Sequence, residues 1–191
     1  DIYSVERNIK KLLDTADTGR IIREGLKVSI VGKPNVGKSS LMNALIGQNR
    51  AIVTDIPGTT RDTIEESISV RNIPVVLTDT AGIHSTDDLI EQIGIEKSKE
   101  AFNNSDLVIL MIDASSALEE EDFEIIRHTG ERKVIVLLNK QDKGAEVHRD
   151  EIHMKIPGAV VIESSVTQGD GISRLEDEIE KIKKELKDFK R

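Results

Sequence analysis

Short apolar runs alternate along the chain with stretches whose apolar residues recur at helical spacing. Runs rich in Val, Ile and Leu that end on Gly, Pro, Asn or Asp read as strands, and the recurring stretches read as helices with one buried face. Strands are predicted at Lys27–Val31, Thr63–Val70, Val75–Asp79, Leu107–Asp113, Lys133–Asn139 and Val160–Glu163. Helices are predicted near Lys38–Ile46, Asp88–Asn103, Glu119–His128 and Ile172–Lys190. Thr63–Val70 alternates polar and apolar positions like a half-exposed edge strand, and the short turn at Arg71, Asn72 and Ile73 suits an antiparallel return. The remaining runs are apolar on both faces. Strands alternating with helices in this order predict an α/β fold, a mainly parallel sheet covered on both sides.

The two ends carry their own stripes. Ile2, Val5, Ile9, Leu12 and Leu13 share one helical face, and Leu175, Ile179, Ile182, Leu186 and Phe189 share another. Both are expected to pack on this domain, with a helical partner domain as the alternative. No internal repeat or low-complexity linker divides the 191 residues, so one core is the default.

Composition narrows the function classes. Hydrophobic residues make up 37% and charged residues of both signs 32%, which describes a globular chain and not a disordered one. Four aromatic residues leave the core to aliphatic side chains. The absence of Cys removes disulfides, cysteine zinc sites and a thiol nucleophile, and suits a reducing, cytoplasmic compartment. A net charge of −8 argues against a broad nucleic-acid-binding face. No apolar run approaches membrane-spanning length and no charged-then-apolar leader opens the chain, so no membrane role is expected. A start at Asp1 and an end in charged helix suggest a piece of something longer.

Gly32-Lys33-Pro34-Asn35-Val36-Gly37-Lys38-Ser39 fits G-x-x-x-x-G-K-[ST] between a predicted strand and a predicted helix. Glycines let backbone N–H groups converge on phosphate oxygens at a helix N-terminus, whose dipole favours negative charge. Asn35, Val36, Gly37, Lys38, Ser39 and Ser40 form the expected cradle, with Lys38 between the β- and γ-phosphates and the Ser39 hydroxyl on Mg²⁺. Asp79 closes a strand in the form Thr-Asp-Thr-Ala-Gly. A carboxylate there lies beside the phosphate site and can hold Mg²⁺ through water, while Gly82 would let an N–H reach the γ-phosphate.

Asn139-Lys140-Gln141-Asp142 ends another apolar run. Guanine presents N1–H and N2–H₂ on one side and adenine does not, so the Asp142 carboxylate selects guanine. Asn139 is expected at N7 and the loop backbone, and the stem of Lys140 over the ring. In Ser165-Val166-Thr167-Gln168-Gly169, the Val166 N–H is expected at guanine O6. The histidines His84, His128, His148 and His153 share no metal-ligand spacing and read as surface residues.

These three motifs together resemble the Ras-like P-loop guanine-nucleotide-binding proteins, in their bacterial translation-factor class, over Leu26–Leu175. The resemblance implies a mixed, mostly parallel six-stranded sheet, GTP and GDP as ligands, and two switch segments. Many such proteins follow DTAG with a water-orienting glutamine, and this chain has Ile83, which can neither donate nor accept a hydrogen bond. Among Asp87, Asp88, Glu91 and Glu96 physics alone does not choose, since each also reads as a helix cap or a solvated charge.

The segment Ala51–Asp62 (AIVTDIPGTTRD) and the spacing from DTAG to IEQIGIEKS resemble the MnmE (TrmE) family, GTPases that take part in modifying the wobble uridine of tRNA. Carried by position, that family's water-activating glutamate is Glu91. Thr60 takes the first-switch place on Mg²⁺ and the γ-phosphate, and a K⁺ ion falls to Asn35, Thr54, Ile56 and Thr59. Arg61 reads as a surface ion pair in preference to an arginine finger. The resemblance further implies a homodimer through the switches, an FAD-dependent MnmG-like partner and tRNA contacts of the full-length protein. Family members also carry a folate-binding domain and a helical domain interrupted by the GTPase domain. Residues 1–24 and 176–191 would then be helical stubs around a GTPase domain at 25–175. Competing readings are a ribosome-assembly GTPase of the Der or Era type, a non-hydrolysing guanine-nucleotide switch, and a P-loop ATPase.

Overall fold

The computed structural model describes residues 2–49, 65–79 and 103–188. β1 (Leu26–Val31), β2 (Glu65–Val70), β3 (Ile73–Asp79), β4 (Leu107–Asp113), β5 (Val134–Asn139) and β6 (Val160–Glu163) form one six-stranded sheet in the order β2-β3-β1-β4-β5-β6. β2 is antiparallel to β3 and every other pairing is parallel. The described helices are α1 (Ile2–Glu24), α2 (Lys38–Gln48), α3 (Glu120–Thr129), α4 (Arg149–Lys155) and α5 (Ile172–Asp188). This is the mixed, mostly parallel Ras-like architecture.

Two apolar clusters sandwich the sheet. Leu41 and Leu45 of α2, Leu175, Ile179 and Ile182 of α5 and Ile21 of α1 join alternate strand residues on one face. Ile126 of α3 and Ile152 of α4 join the other set on the opposite face. Strands covered on both faces must be apolar at every position, which is why β4 and β5 are buried almost throughout. β2 at the edge leaves Glu65 and Glu66 exposed and buries Ile68 and Val70.

β3 starts at Ile73, earlier than expected, and takes in Pro74. Parallel pairing to β1 begins only at Leu26 opposite Val75, so the missing N–H of Pro74 costs no ladder bond there. The turn shrinks to Arg71 and Asn72, both in the left-handed region at φ 49° and 63°. α4 was not foreseen: it is 7 residues long and buries only Ile152, too little for a periodic pattern. The predicted helix Asp88–Asn103 lies outside the described residues except for Asn103.

The terminal stripes behave differently. Leu175, Ile179 and Ile182 are buried in the core, so α5 belongs to the domain, and the expected boundary at 175/176 falls inside one continuous helix. In α1, Ile2, Val5 and Ile9 are 82%, 55% and 53% exposed, contrary to the expectation that both stripes pack here. Attachment comes at the other end of α1, where Ile21 is buried and the Arg20 guanidinium pairs with Asp106. Gly25 then closes the helix with its N–H on the Ile21 carbonyl at φ 90°. Among the described residues no helix is long and apolar enough to cross a membrane.

Candidate functional site

The carboxyl ends of β1, β3, β4 and β5 meet where the strand order reverses about β1, the place where open α/β sheets bind ligands. The chain leaves β1 at Gly32 and re-enters helix at Lys38, with Gly32, Asn35 and Gly37 all at positive φ (153°, 64° and 112°). Space and conformation both demand glycine at two of these. A Cβ on Gly32 would stand 2.5 Å from the Met111 carbonyl oxygen, and one on Gly37 would stand 2.5 Å from Asn139 Nδ2.

Lys38 opens α2 and is only 4% exposed. Its ammonium donates to the carbonyls of Gly32 and Lys33, the latter at 2.8 Å, so the loop's own backbone holds the charge at the mouth of the cradle. Val36 is buried and anchors the loop, while Asn35, Ser39 and Ser40 are exposed along its rim. Lys33 ties the loop sideways to the start of α3, reaching Glu119 Oε2 at 2.8 Å and Asp122 Oδ2 at 2.7 Å. Burial alone would lower the Lys33 pKa, but hydrogen bonds and charge from Asp122 and Glu119 outweigh it and raise it above its ordinary value.

Asn139 ends β5 and is 4% exposed. Its Nδ2 donates to the Val36 carbonyl at 2.7 Å, and its Oδ1 accepts the Val166 N–H at 3.0 Å and the Ser164 hydroxyl at 3.4 Å. One amide thus joins the phosphate loop, the β5 loop and the loop after β6. The Val166 N–H, expected at guanine O6, is given to Asn139 in this structure. Asp142 is exposed and accepts the Ser165 hydroxyl at 2.7 Å through Oδ1, which fixes its carboxylate on the cleft wall.

Lys140 is left-handed at φ 64° and its ammonium reaches Asp113 Oδ2 at 2.6 Å. Burial would raise the Asp113 pKa, but hydrogen bonds from Lys140 and from the side chain and backbone of Ser115 outweigh it and hold the carboxyl below its usual range. Between these walls lies a cleft of about 430 Å³ lined by Asn35, Lys38, Ser39, Lys140, Asp142 and Thr167 among others. One end offers a cation and a helix N-terminus, the other a carboxylate aimed to accept donors. That pairing suits an anion joined to a base with a donor edge.

Thr167 and Lys143 also line the cleft and were not singled out from sequence, nor was Asp113. Asp113 closes the predicted strand Leu107–Asp113, but only the register of the sheet, which sets it opposite Asn139, brings it to the base loop. Thr54, Ile56, Thr59, Thr60, Gly82 and Glu91 lie outside the described residues, as do Ile83, His84 and the other acids of that stretch. Asp79 closes β3 with its backbone opposite Ile30, one residue before β1 ends. His128, His148 and His153 are exposed, and no group of three metal-ligating His, Asp or Glu residues occurs among the described residues. Mg²⁺ takes few protein oxygens and completes its shell with water and phosphate. Ser39 on the exposed rim of the cradle supplies one such oxygen.

A family model for the 50S ribosome-binding GTPase matches residues 27–140. The chain is 52% identical over 178 residues to the tRNA modification GTPase MnmE of Clostridioides difficile, covering 93% of this chain and 39% of that protein. It is 53% identical over 173 residues to the MnmE of Alkaliphilus oremlandii, covering 91% and 38%. It therefore spans about two fifths of the length of these relatives. Among solved structures, a variant of Aquifex aeolicus Era bound to GDP·AlF4− superposes with a TM-score of 0.63 at 31% identity, covering 83% of this chain and 56% of that one. With its phosphate loop and its Asn139 bridge inside the matched stretch, this chain belongs to the family of 50S ribosome-binding GTPases.

Proposed function

We propose that the chain is the GTP-binding and GTP-hydrolysing domain of a larger cytoplasmic GTPase that takes part in modifying the wobble uridine of tRNA. The observation that carries the nucleotide half is the Asn139 amide, whose bond to the Val36 carbonyl sets the base loop at a fixed distance from the phosphate loop. The tRNA half rests on the identity of about half with proteins named tRNA modification GTPase, against 31% with Era, so the ribosome-assembly alternative is not favoured.

In this reading the triphosphate lies along Gly32–Ser39 with its γ end past Lys38. Lys38 exchanges its backbone carbonyls for β- and γ-oxygens, and the N–H groups at the start of α2 take the charge that develops there. Ser39, Asp79 and Thr60 would hold Mg²⁺, which neutralises phosphate charge. Asn35, Thr54, Ile56 and Thr59 would hold K⁺, which balances charge between the β- and γ-phosphates where other systems insert an arginine. Glu91 takes the proton of the attacking water as it adds in line to the γ-phosphorus, with GDP leaving. Gly82 would contribute an N–H to the γ-phosphate, and two copies would meet across their switch segments around potassium. An FAD-dependent MnmG-like partner and tRNA belong to the full-length protein.

GTP turnover against protein concentration, in potassium and in sodium at equal ionic strength, tests this. The expected result is turnover per molecule that climbs with concentration in potassium only. Equal, concentration-independent rates in both salts would contradict the cation-dependent dimer. Glu91→Ala is expected to remove turnover while GTP binding stays, and unchanged turnover would take Glu91 out of the mechanism.

A further inference from the structure

Asp113 stands behind the base cleft and does not line it, yet the geometry of the cleft depends on it. It closes β4 in register with Asn139 at the end of β5, so its carboxylate starts level with the base loop. Oδ2 accepts the Lys140 ammonium at 2.6 Å, and Oδ1 accepts the Ser115 hydroxyl at 2.6 Å and the Ser115 N–H at 3.0 Å. Both oxygens are committed to donors, which fixes the carboxylate in one orientation.

The other end of Lys140 is fixed as well. Its carbonyl accepts the Lys143 N–H at 3.0 Å, and the Gln141 N–H that follows donates to the Ser164 carbonyl at 3.1 Å. A lysine held at both its backbone and its ammonium keeps its alkyl stem in one place, and that residue lines the cleft. A free lysine would lose its rotamer freedom when a flat ring came to rest on it; here the ion pair has removed that freedom beforehand.

We propose that Asp113 is a positioning residue for the purine base, acting through Lys140 to present a preformed apolar stem to the face of the ring. The inference rests on the guanine-nucleotide reading of the cleft and deepens it. A contact to the ring face does not sense the edge, so it serves guanine and hypoxanthine alike, whereas edge selection belongs to Asp142.

The test is a double-mutant cycle on nucleotide affinity, using GDP and IDP, with wild type, Asp113→Asn, Lys140→Met and the double variant, below their melting temperatures. Asn keeps an acceptor for Ser115 but replaces the acceptor for Lys140, so the fold is retained and the anchor is lost. Asp113→Asn is expected to weaken both nucleotides about tenfold with their ratio unchanged, as loss of one charge-assisted bond does. In the Lys140→Met background the same change is expected to weaken them less than about twofold. Equal losses in both backgrounds, no loss in the wild-type background, or a changed GDP-to-IDP ratio would overturn the inference. A wild-type chain that binds neither nucleotide would instead overturn the guanine-nucleotide reading, and this inference with it.

Discussion

At the scale of single residues, the site depends on polar groups with no partner to spare. Asn139 satisfies the Val36 carbonyl and the Val166 N–H from a position 4% exposed. Asn139→Ala would strand both and is expected to cost about 2 kcal/mol, read as a lowered urea midpoint at constant slope. An unchanged midpoint would mean that water replaces the amide. Gly37→Ala should act on the same contact from the other side, since its Cβ would meet Asn139 Nδ2 at 2.5 Å and its φ of 112° is hostile to a side chain. Protonation supplies a gentler probe. The Asp113 pKa is lowered, so its stabilising pair with Lys140 is complete above the unfolded carboxyl pKa and is lost only as pH falls through the still lower folded value. GDP affinity is therefore expected to hold level through neutral and mildly acidic pH and to fall only once the pH drops below the ordinary carboxyl range. Loss of affinity already near pH 6 would assign the dependence to another group.

At the scale of elements, α5 is seated by a buried carboxylate. Glu176 is 7% exposed, and its Oε1 accepts Asn49 Nδ2 at 2.7 Å while Arg71 Nε approaches its Oε2 at 3.5 Å. Asn49 caps α2 and Arg71 turns the β2–β3 hairpin, so one side chain connects three elements. Glu176→Ala is expected to destabilise the domain by about 2 kcal/mol while leaving the preference for guanine unchanged, checked by urea titration beside GDP and ADP binding. A shift in base preference would show that this junction reaches the cleft. The elements also show where sequence patterns carry information. β4 and β6 match their predicted limits because apolar runs with polar ends leave no other reading. α4 carries one buried side chain and leaves no periodic trace. The α1 stripe is real as a pattern, yet a pattern states only that a face wants cover and not which surface supplies it, hence the exposure of Ile2, Val5 and Ile9.

At the scale of the molecule, the sheet brings together residues a hundred positions apart in the chain. The phosphate loop follows β1, the base loop follows β5, and β4 between them carries the carboxylate that steadies Lys140. The places of these two loops were legible because each motif sits at the end of an apolar strand. Asp113 and Thr167 were not, because their roles arise from register and cleft shape, which no local spacing encodes. In the proposed reading this assembled cleft selects guanine through Asp142. The most direct measurement is competitive binding of GDP and XDP to wild type and Asp142→Asn. Xanthine keeps N1–H but replaces the N2 amine with a carbonyl, so an Asn that accepts one and donates to the other suits it. Wild type is expected to prefer GDP and Asp142→Asn to invert the preference toward XDP, by about tenfold or more in each direction. An Asp142→Asn protein that still prefers GDP over XDP would contradict that reading.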